Sequence, residues 1–284
     1  MGRLQSVPMH DIAFVIAGFS VGLIVGLTGV GGGSLMTPIL IFFFGIKPYL
    51  AVGTDLLFAA FTKAGGTVSL MKQGLVPWRV VGQLCAGSIP AALATLYVLH
   101  TVGPASPQVQ QWMTHTLGVA LLLTAAAMLF KAFRQRKAPV RVVSGNGPVH
   151  NISLAGETPP RQAYQARHWS LPVLFGAVIG TMVTLTSVGA GAIGVTVLLI
   201  LFPLLPLPRI VAADIAYAVP LTLVAGLGHA SLGSVDWPLL MKLLAGSLPG
   251  IWLGSKLIHK TPERVVRSML SALLAYAGLK LIAI

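Results

Sequence analysis

The sequence predicts an all-α polytopic membrane protein made of two inverted-topology repeats, each with about five apolar segments. Three observations lead to this fold class: a composition poor in charge, long apolar runs, and a pattern that occurs twice. Only 9% of the 284 residues are charged and 55% are hydrophobic, whereas a soluble domain carries about 25% charged residues. So few charges could not cover the surface of a water-soluble particle of this size.

Apolar runs recur along the whole chain. A helix needs roughly 18 or more apolar residues with few charges to cross a bilayer. The runs are Asp11 to Ile46, Leu50 to Met71, Val80 to Leu99, His115 to Phe133, Leu171 to Leu207, Ile210 to Leu232, Leu239 to Ile258 and Ser268 to Ile284. We therefore expect a multi-pass protein of the bacterial inner membrane, in contact with membrane lipid.

The chain contains an internal duplication. The segment GLIVGLTGVGGG at residues 22–33 matches GTMVTLTSVGAG at residues 180–191 at a spacing of 158. One residue is then inserted, and a spacing of 159 relates Val52/Val211, Asp55/Asp214, Gly74/Gly233, Trp78/Trp237 and the pieces AGSIP and AGSLP. We place the first transmembrane repeat at 1–130, a basic cytoplasmic linker at 131–169 and the second repeat at 170–284.

Basic residues predict the orientation of the two repeats. The linker carries seven Lys and Arg residues, so the positive-inside rule places it in the cytoplasm. If the repeats have opposite orientations, most other basic residues also fall on the cytoplasmic side. A parallel duplication would instead put the cluster Lys256, Lys260, Arg264 and Arg267 outside. The net charge of +13 is thus a property of the loops, and no nucleic-acid partner is predicted.

Each repeat carries a Gly-rich segment where an unbroken helix is unfavourable, because each Gly costs roughly 1 kcal/mol relative to Ala. Non-helical backbone at membrane depth requires protein or a water-filled cavity around it. We interpret the segments as broken or re-entrant hairpins whose free N–H groups bind an anion. The predicted substrate-binding residues are Thr28, Gly29, Gly31, Gly32, Gly33 and Ser34, and Thr186, Ser187, Gly189 and Gly191.

Two further sets of glycines have GxxxG spacing, which is typical of closely packed membrane helices. For these sets we favour close helix packing over a binding role. They are Gly18, Gly22 and Gly26, and Gly246, Gly250 and Gly254.

Ionisable residues inside apolar runs are functional candidates by default, because a charge there costs roughly 2.5–3.5 kcal/mol, and four of them are singled out. Asp55 and Asp214 occupy matched repeat positions and are candidates for proton coupling or gating; the alternative is that they cap helix starts. Lys63 lies about two turns beyond Asp55 and is a candidate for attracting an anion. His229 is matched by Leu70, and is a further coupling or gating candidate or a hydrogen-bonded core residue.

The paired Gly-rich segments, Pro38, the stretch Ala51-Val52-Gly53-Thr54 and the repeated Gly-Ser-Ile/Leu-Pro pieces resemble the sulfite exporter TauE/SafE family, also called the 4-toluene sulfonate uptake permeases. The resemblance covers nearly the whole membrane portion. It implies transport of anions such as sulfite, thiosulfate, sulfoacetate or other organosulfonates, and adds Thr54 to the substrate-binding candidates. The chain departs from the family at Asp55, where many members have Ser, and at Ala190, which dilutes the second Gly cluster.

The expected function is therefore a secondary anion transporter, ion-coupled through protons or sodium and working by alternating access. An anion channel of the same architecture is the alternative. An enzyme is not expected, because HExxH, GxSxG and clustered His with carboxylates are absent from the sequence. No cofactor or metal is predicted, and the sequence does not predict the oligomeric state.

Overall fold

A computed structural model describes residues 9–28, 35–134, 170–257 and 263–282 of the chain. Within these ranges the protein is all-helical, with ten helices and no strand. In chain order they are α1 Met9–Thr28, α2 Met36–Phe42, α3 Pro48–Lys72, α4 Trp78–Val102, α5 Pro107–Arg134, α6 Ser170–Thr186, α7 Ala192–Leu201, α8 Leu207–Ser231, α9 Trp237–Leu257 and α10 Glu263–Ile282. The predicted all-α fold class is confirmed.

Three of the described helices are long and apolar enough to cross a membrane, and these are α4, residues Pro107–Leu129 of α5, and α8. Shorter apolar helices lie at Ile12–Gly26, Ser170–Thr186 and Ser268–Ile282. At 1.5 Å per residue, the seven-residue α2 is about 10 Å long. It is far too short to span a hydrocarbon core of about 30 Å by itself.

Local sequence explains where the central helices begin and end. Pro48 stands in the first turn of α3, and Pro208 in the first turn of α8, where the missing proline N–H is not needed. Gly74 and Gly233 follow the ends of the same helices with φ of 66° and 68°. A left-handed residue of this kind is the usual stop after a helix C-terminus.

The closest helix contacts are made by small residues. Gly22 of α1 lies against the Ser247 backbone of α9, and Gly180 of α6 lies against the Ser88 backbone of α4. An added Cβ at Gly22 would stand 2.7 Å from Ser247 Cα, and one at Gly180 would stand 2.7 Å from Ser88 Cα. The expected role of the GxxxG sets in helix packing is confirmed at the four described positions that make such contacts: Gly18, Gly22, Gly246 and Gly250.

Helix directions follow from which residues meet. In the α3–α8 pair, Gly66 faces Ile215 while Leu57 faces Gly226, so the two helices run antiparallel.

The same holds for α5 and α10, in which Gly118 meets Ile282 and Gly278 meets Leu122. The α1–α9 pair instead runs parallel, because Val15 meets Gly246 and Phe19 meets Gly250.

The break between α6 and α7 is described, whereas residues 29–34 between α1 and α2 lie outside the described residues. Residues 135–169 of the predicted linker also lie outside the described residues. Helix α5 continues to Arg134, four residues past the predicted boundary at 130. The α4–α5 connection is short, because α5 already begins at Pro107. Buried apolar side chains from α3, α4, α5, α6, α7 and α8 form one large cluster beside the α6–α7 break.

Candidate functional site

The non-helical stretch Ser187–Gly191 separates α6 from α7 at a buried position. Ser187, Gly189 and Gly191 have φ of 58°, 127° and 141°, and Ser187 is the only described non-glycine residue with positive φ. The Thr186 hydroxyl stabilises the turn: it donates to the Met182 carbonyl at 2.6 Å and accepts the Val188 N–H at 3.1 Å. The break is therefore a defined backbone structure within the protein interior.

Asp55 lies eight residues into α3 and is fully buried. Its Oδ2 accepts the Thr37 hydroxyl at 2.5 Å and the Thr37 backbone N–H at 3.2 Å. Thr37 is in the first turn of α2, so the carboxylate caps a helix start from a neighbouring helix. Asp55 therefore caps a helix start, but that of α2 rather than of its own helix α3, and it does so within the core. The Ser187 side chain lies next to the same carboxylate.

Lys63 connects α3 to the break. Its side chain is only 6% exposed, and its Nζ donates to the Ala190 carbonyl at 3.2 Å. The ammonium also interacts electrostatically with Asp214 and Asp55, more strongly with Asp214. One buried cation is therefore shared by the two repeat-matched carboxylates and by the backbone of the break.

Asp214 lies on α8 and is 2% exposed. Its Oδ1 occupies the space that a side chain at Gly194 of α7 would fill, and the Tyr217 hydroxyl would lie 3.4 Å from a Cβ there. Glycine at position 194 therefore leaves room for the polar groups that approach α7, and a larger residue there would displace the Asp214 carboxylate from its present position.

His229 lies elsewhere in the bundle. Its Nε2 lies 2.9 Å from the Thr184 carbonyl, and since a carbonyl only accepts, Nε2 carries the proton. In a continuous helix the Val188 N–H would donate to the Thr184 carbonyl. Here it donates to the Thr186 hydroxyl instead, so the Thr184 carbonyl is available to His229. The Cβ of His229 packs beside Gly53, which is about 200° around α3 from Asp55.

Several buried polar atoms make no hydrogen bond with any described residue. An unpaired buried group of this kind costs about 1–3 kcal/mol, and each such group calls for an explanation such as a ligand or water. They are Asp55 Oδ1, Gln83 Oε1, Ser88 Oγ, Ser187 Oγ, Tyr217 Oη, His229 Nδ1 and Ser234 Oγ. Two of them, on Asp55 and Ser187, lie next to each other, and a third, on Tyr217, lies near Asp214; both carboxylates interact with Lys63.

The predicted site residues divide into three groups. Asp55, Lys63, Asp214 and the break residues Thr186, Ser187, Gly189 and Gly191 come together. Thr54 and His229 make hydrogen bonds with other residues: the Thr54 hydroxyl accepts the Asp236 N–H at 3.0 Å, and His229 bonds to the Thr184 carbonyl. Gly29, Gly31, Gly32, Gly33 and Ser34 lie outside the described residues, and only the backbone of Thr28, the last residue of α1, is described. Their binding and coupling roles stay predictions.

Thr37 and Tyr217 are the polar groups of the site that the sequence analysis missed. Thr37 has a signal in the sequence, since Thr196 follows at the repeat spacing of 159. Tyr217 is matched by Phe58 and carries no comparable signal.

Comparisons with known proteins identify a family of membrane transporters. A family model described as sulfite exporter TauE/SafE matches residues 14–281. The chain is 35% identical over 273 residues to the probable membrane transporter protein YjnA of Bacillus subtilis (strain 168), covering 96% of this chain and 100% of the relative. It is 25% identical to the probable membrane transporter proteins YunE and YdhB of the same organism, covering 96% and 94% of this chain and 98% of each relative. No solved structure matches it.

The predicted resemblance and the predicted multi-pass inner-membrane location are both confirmed by these matches and by the apolar helices. The chain belongs to the sulfite exporter TauE/SafE family of membrane transporters.

Proposed function

We propose that the chain is a secondary transporter that moves small sulfur-containing or organic anions, such as sulfite, thiosulfate, sulfoacetate or another organosulfonate, across the inner membrane. The observation that carries the proposal is the buried Lys63 ammonium at the α6–α7 break. The Ser187 hydroxyl of the same break lies next to the Asp55 carboxylate. A buried cation next to irregular backbone is suited to an anion that must shed its water.

Asp55 and Asp214 supply the coupling in this proposal. Two carboxylates near one ammonium leave an excess negative charge when all three are ionised, and an anion entering that neighbourhood is repelled. A proton on either carboxylate removes the excess charge and favours the anion. Because the effect of one ligand on another is reciprocal, a bound anion in turn favours proton uptake, so the two move together.

The transport cycle rests on inverted repeats at 1–130 and 170–284, joined by a cytoplasmic linker at 131–169. Support comes from the repeat-matched helices, since α3 runs antiparallel to α8 and α5 runs antiparallel to α10. Matched helices of a parallel duplication would point the same way. We assign the Gly-rich stretch 28–34 to the first repeat's counterpart of the α6–α7 break, so that the anion is held between the two breaks.

The test is transport by the purified protein in proteoliposomes. Currents on a solid-supported membrane and the signal of an enclosed pH dye are recorded together, so that electroneutral coupling is also seen. The panel is sulfite, thiosulfate, sulfoacetate, taurine and acetate, each with and without a pH gradient. We expect a saturable response to a sulfur oxyanion that increases with the gradient. Silence across the panel from correctly inserted protein would overturn the sulfur-anion assignment, and a non-saturating flux without proton movement would establish the channel alternative.

A further inference from the structure

Tyr217 is a fully buried tyrosine whose hydroxyl has no hydrogen-bond partner among the described residues. Its ring lies in the apolar cluster formed with Ile179, Val183 and Leu221 among others. A buried tyrosine hydroxyl is normally hydrogen-bonded. The ring alone would satisfy the packing of this cluster, so the hydroxyl requires a separate explanation.

The internal repeat supplies a comparison within the same molecule. The position matched to Tyr217 at a spacing of 159 is Phe58, which is 1% exposed and also lies in an apolar cluster. Both repeats therefore need an aromatic ring at this position, whereas only the second repeat has a hydroxyl on it.

The Tyr217 hydroxyl is positioned near the charged centre of the site. Asp214 and Tyr217 are three residues apart on α8, which places them on one face of the helix, and both approach Gly194. Asp214 interacts electrostatically with Lys63 and with Tyr217. The Tyr217 hydroxyl and the Lys63 ammonium thus have Asp214 as a common neighbour.

Three donors from three different elements lie around the two carboxylates: Lys63 from α3 interacts with both, Ser187 from the break lies next to Asp55, and Tyr217 from α8 lies near Asp214. A sulfonate or sulfite group has three oxygens that point in three directions and can accept from all of them. A carboxylate has enough lone pairs for three donors, but its two oxygens lie in one plane, so it meets donors from three different directions with poorer geometry. A buried donor without a partner penalises the ligand that fails to use it.

We propose that Tyr217 is a specificity-determining residue whose hydroxyl donates to one oxygen of the bound anion and favours a three-oxygen sulfur head group over a carboxylate. This inference rests on the proposed function, since it concerns the same site. Because Phe58 lacks the hydroxyl, the anion is held asymmetrically, closer to the second repeat.

The test compares Tyr217→Phe with the wild type, using methanesulfonate and acetate, which carry the same methyl group. The variant copies the ring found at Phe58, and Tyr97→Phe, at a side chain 71% exposed, is the matched control. We expect the half-saturating concentration of methanesulfonate to rise at least tenfold in Tyr217→Phe while that of acetate changes less than threefold. Tyr97→Phe should leave both concentrations unchanged.

If Tyr217 had a purely structural role, Tyr217→Phe would change the melting temperature or would change the half-saturating concentrations of both anions by the same factor. Either result without a change in selectivity overturns the inference. Tyr217→Met, which keeps a large apolar side chain without a hydroxyl, replaces the phenylalanine variant if that variant does not fold. A wild type that transports methanesulfonate while Tyr217→Phe keeps its selectivity refutes the role of Tyr217 alone. A wild type that ignores methanesulfonate and the other sulfur anions refutes the proposed function and this inference with it.

Discussion

Thr37 donates both its hydroxyl and its backbone N–H to the same oxygen of Asp55, which lies 18 residues further along the chain in the next helix. The carboxylate therefore fixes the start of α2, a helix of only seven residues, to the middle of the bundle. In the proposed cycle, protonation of Asp55 would weaken both bonds, because a neutral carboxyl accepts hydrogen bonds less strongly than a carboxylate. The charge of the site and the position of α2 are in this way connected.

Asp55→Asn is expected to abolish proton-coupled transport while leaving the fold intact. The amide oxygen can still accept both Thr37 donors, but the side chain can no longer take up or release a proton. The neutral amide also leaves Asp214 and Lys63 without excess negative charge, so the anion can bind without protonation of Asp214. Proton movement, measured with the enclosed dye during anion addition, should fall at least tenfold.

Asp236→Asn is the matched control for this change. Asp236 Oδ1 accepts the Leu239 N–H at 3.0 Å at the start of α9, so this variant also keeps a cap while losing a charge. Normal proton uptake by Asp55→Asn, or an equal loss in Asp236→Asn, would contradict the coupling role.

The charged centre of the site was largely predictable from sequence. Asp55, Asp214 and Lys63 are conspicuous because a charge within an apolar run is costly, and the break at Ser187–Gly191 follows from the poor helix propensity of glycine. The all-α fold was predictable from the low content of charged residues and from apolar runs long enough to cross a bilayer as helices.

The partners of these residues were not predictable. The contact between Lys63 and the Ala190 carbonyl joins positions 127 residues apart, and helix periodicity contains no information on which segments become neighbours. His229 illustrates the same limit, since its hydrogen bond to Thr184 depends on a carbonyl that only the local turn leaves open. The Thr37/Thr196 repeat was available in the sequence, but threonine is common enough in membrane helices that the match alone indicates little.

Lys63→Gln is expected to weaken anion binding by at least tenfold. Glutamine retains a donor for the Ala190 carbonyl but removes the positive charge, and a hydrogen bond to a charged group contributes about 1.5–3 kcal/mol. The half-saturating anion concentration gives the measurement. Lys72→Gln, at the exposed C-terminal end of α3, controls for the general loss of one lysine. Unchanged affinity in Lys63→Gln would remove Lys63 from the binding site.

Gly22→Ala and Gly180→Ala are expected to destabilise the bundle by about 1–3 kcal/mol each, the usual cost of overpacking. In both cases the new Cβ would meet the backbone of the partner helix, which cannot rotate away as a side chain could. Thermal unfolding in detergent provides the comparison. Gly82→Ala is the control, because that glycine lies within α4 with nothing within 4 Å of an added Cβ and alanine is the better helix former. Equal melting temperatures for all three variants would show that these contacts do not hold the helices together.

Cysteines at Gln73 and Ser231 are expected to be labelled from opposite sides of the membrane. These residues lie at the ends of the repeat-matched helices α3 and α8, both are exposed, and inverted repeats bring matched ends to opposite faces. The native Cys85 is first replaced by Ala, and a membrane-impermeant maleimide is applied to intact cells and to inside-out vesicles. Ser231→Cys should react in cells and Gln73→Cys only in vesicles, because the positive-inside rule places the Lys72 end of α3 in the cytoplasm. Labelling of both cysteines from one side would establish a parallel duplication and exclude the inverted arrangement on which the transport cycle depends.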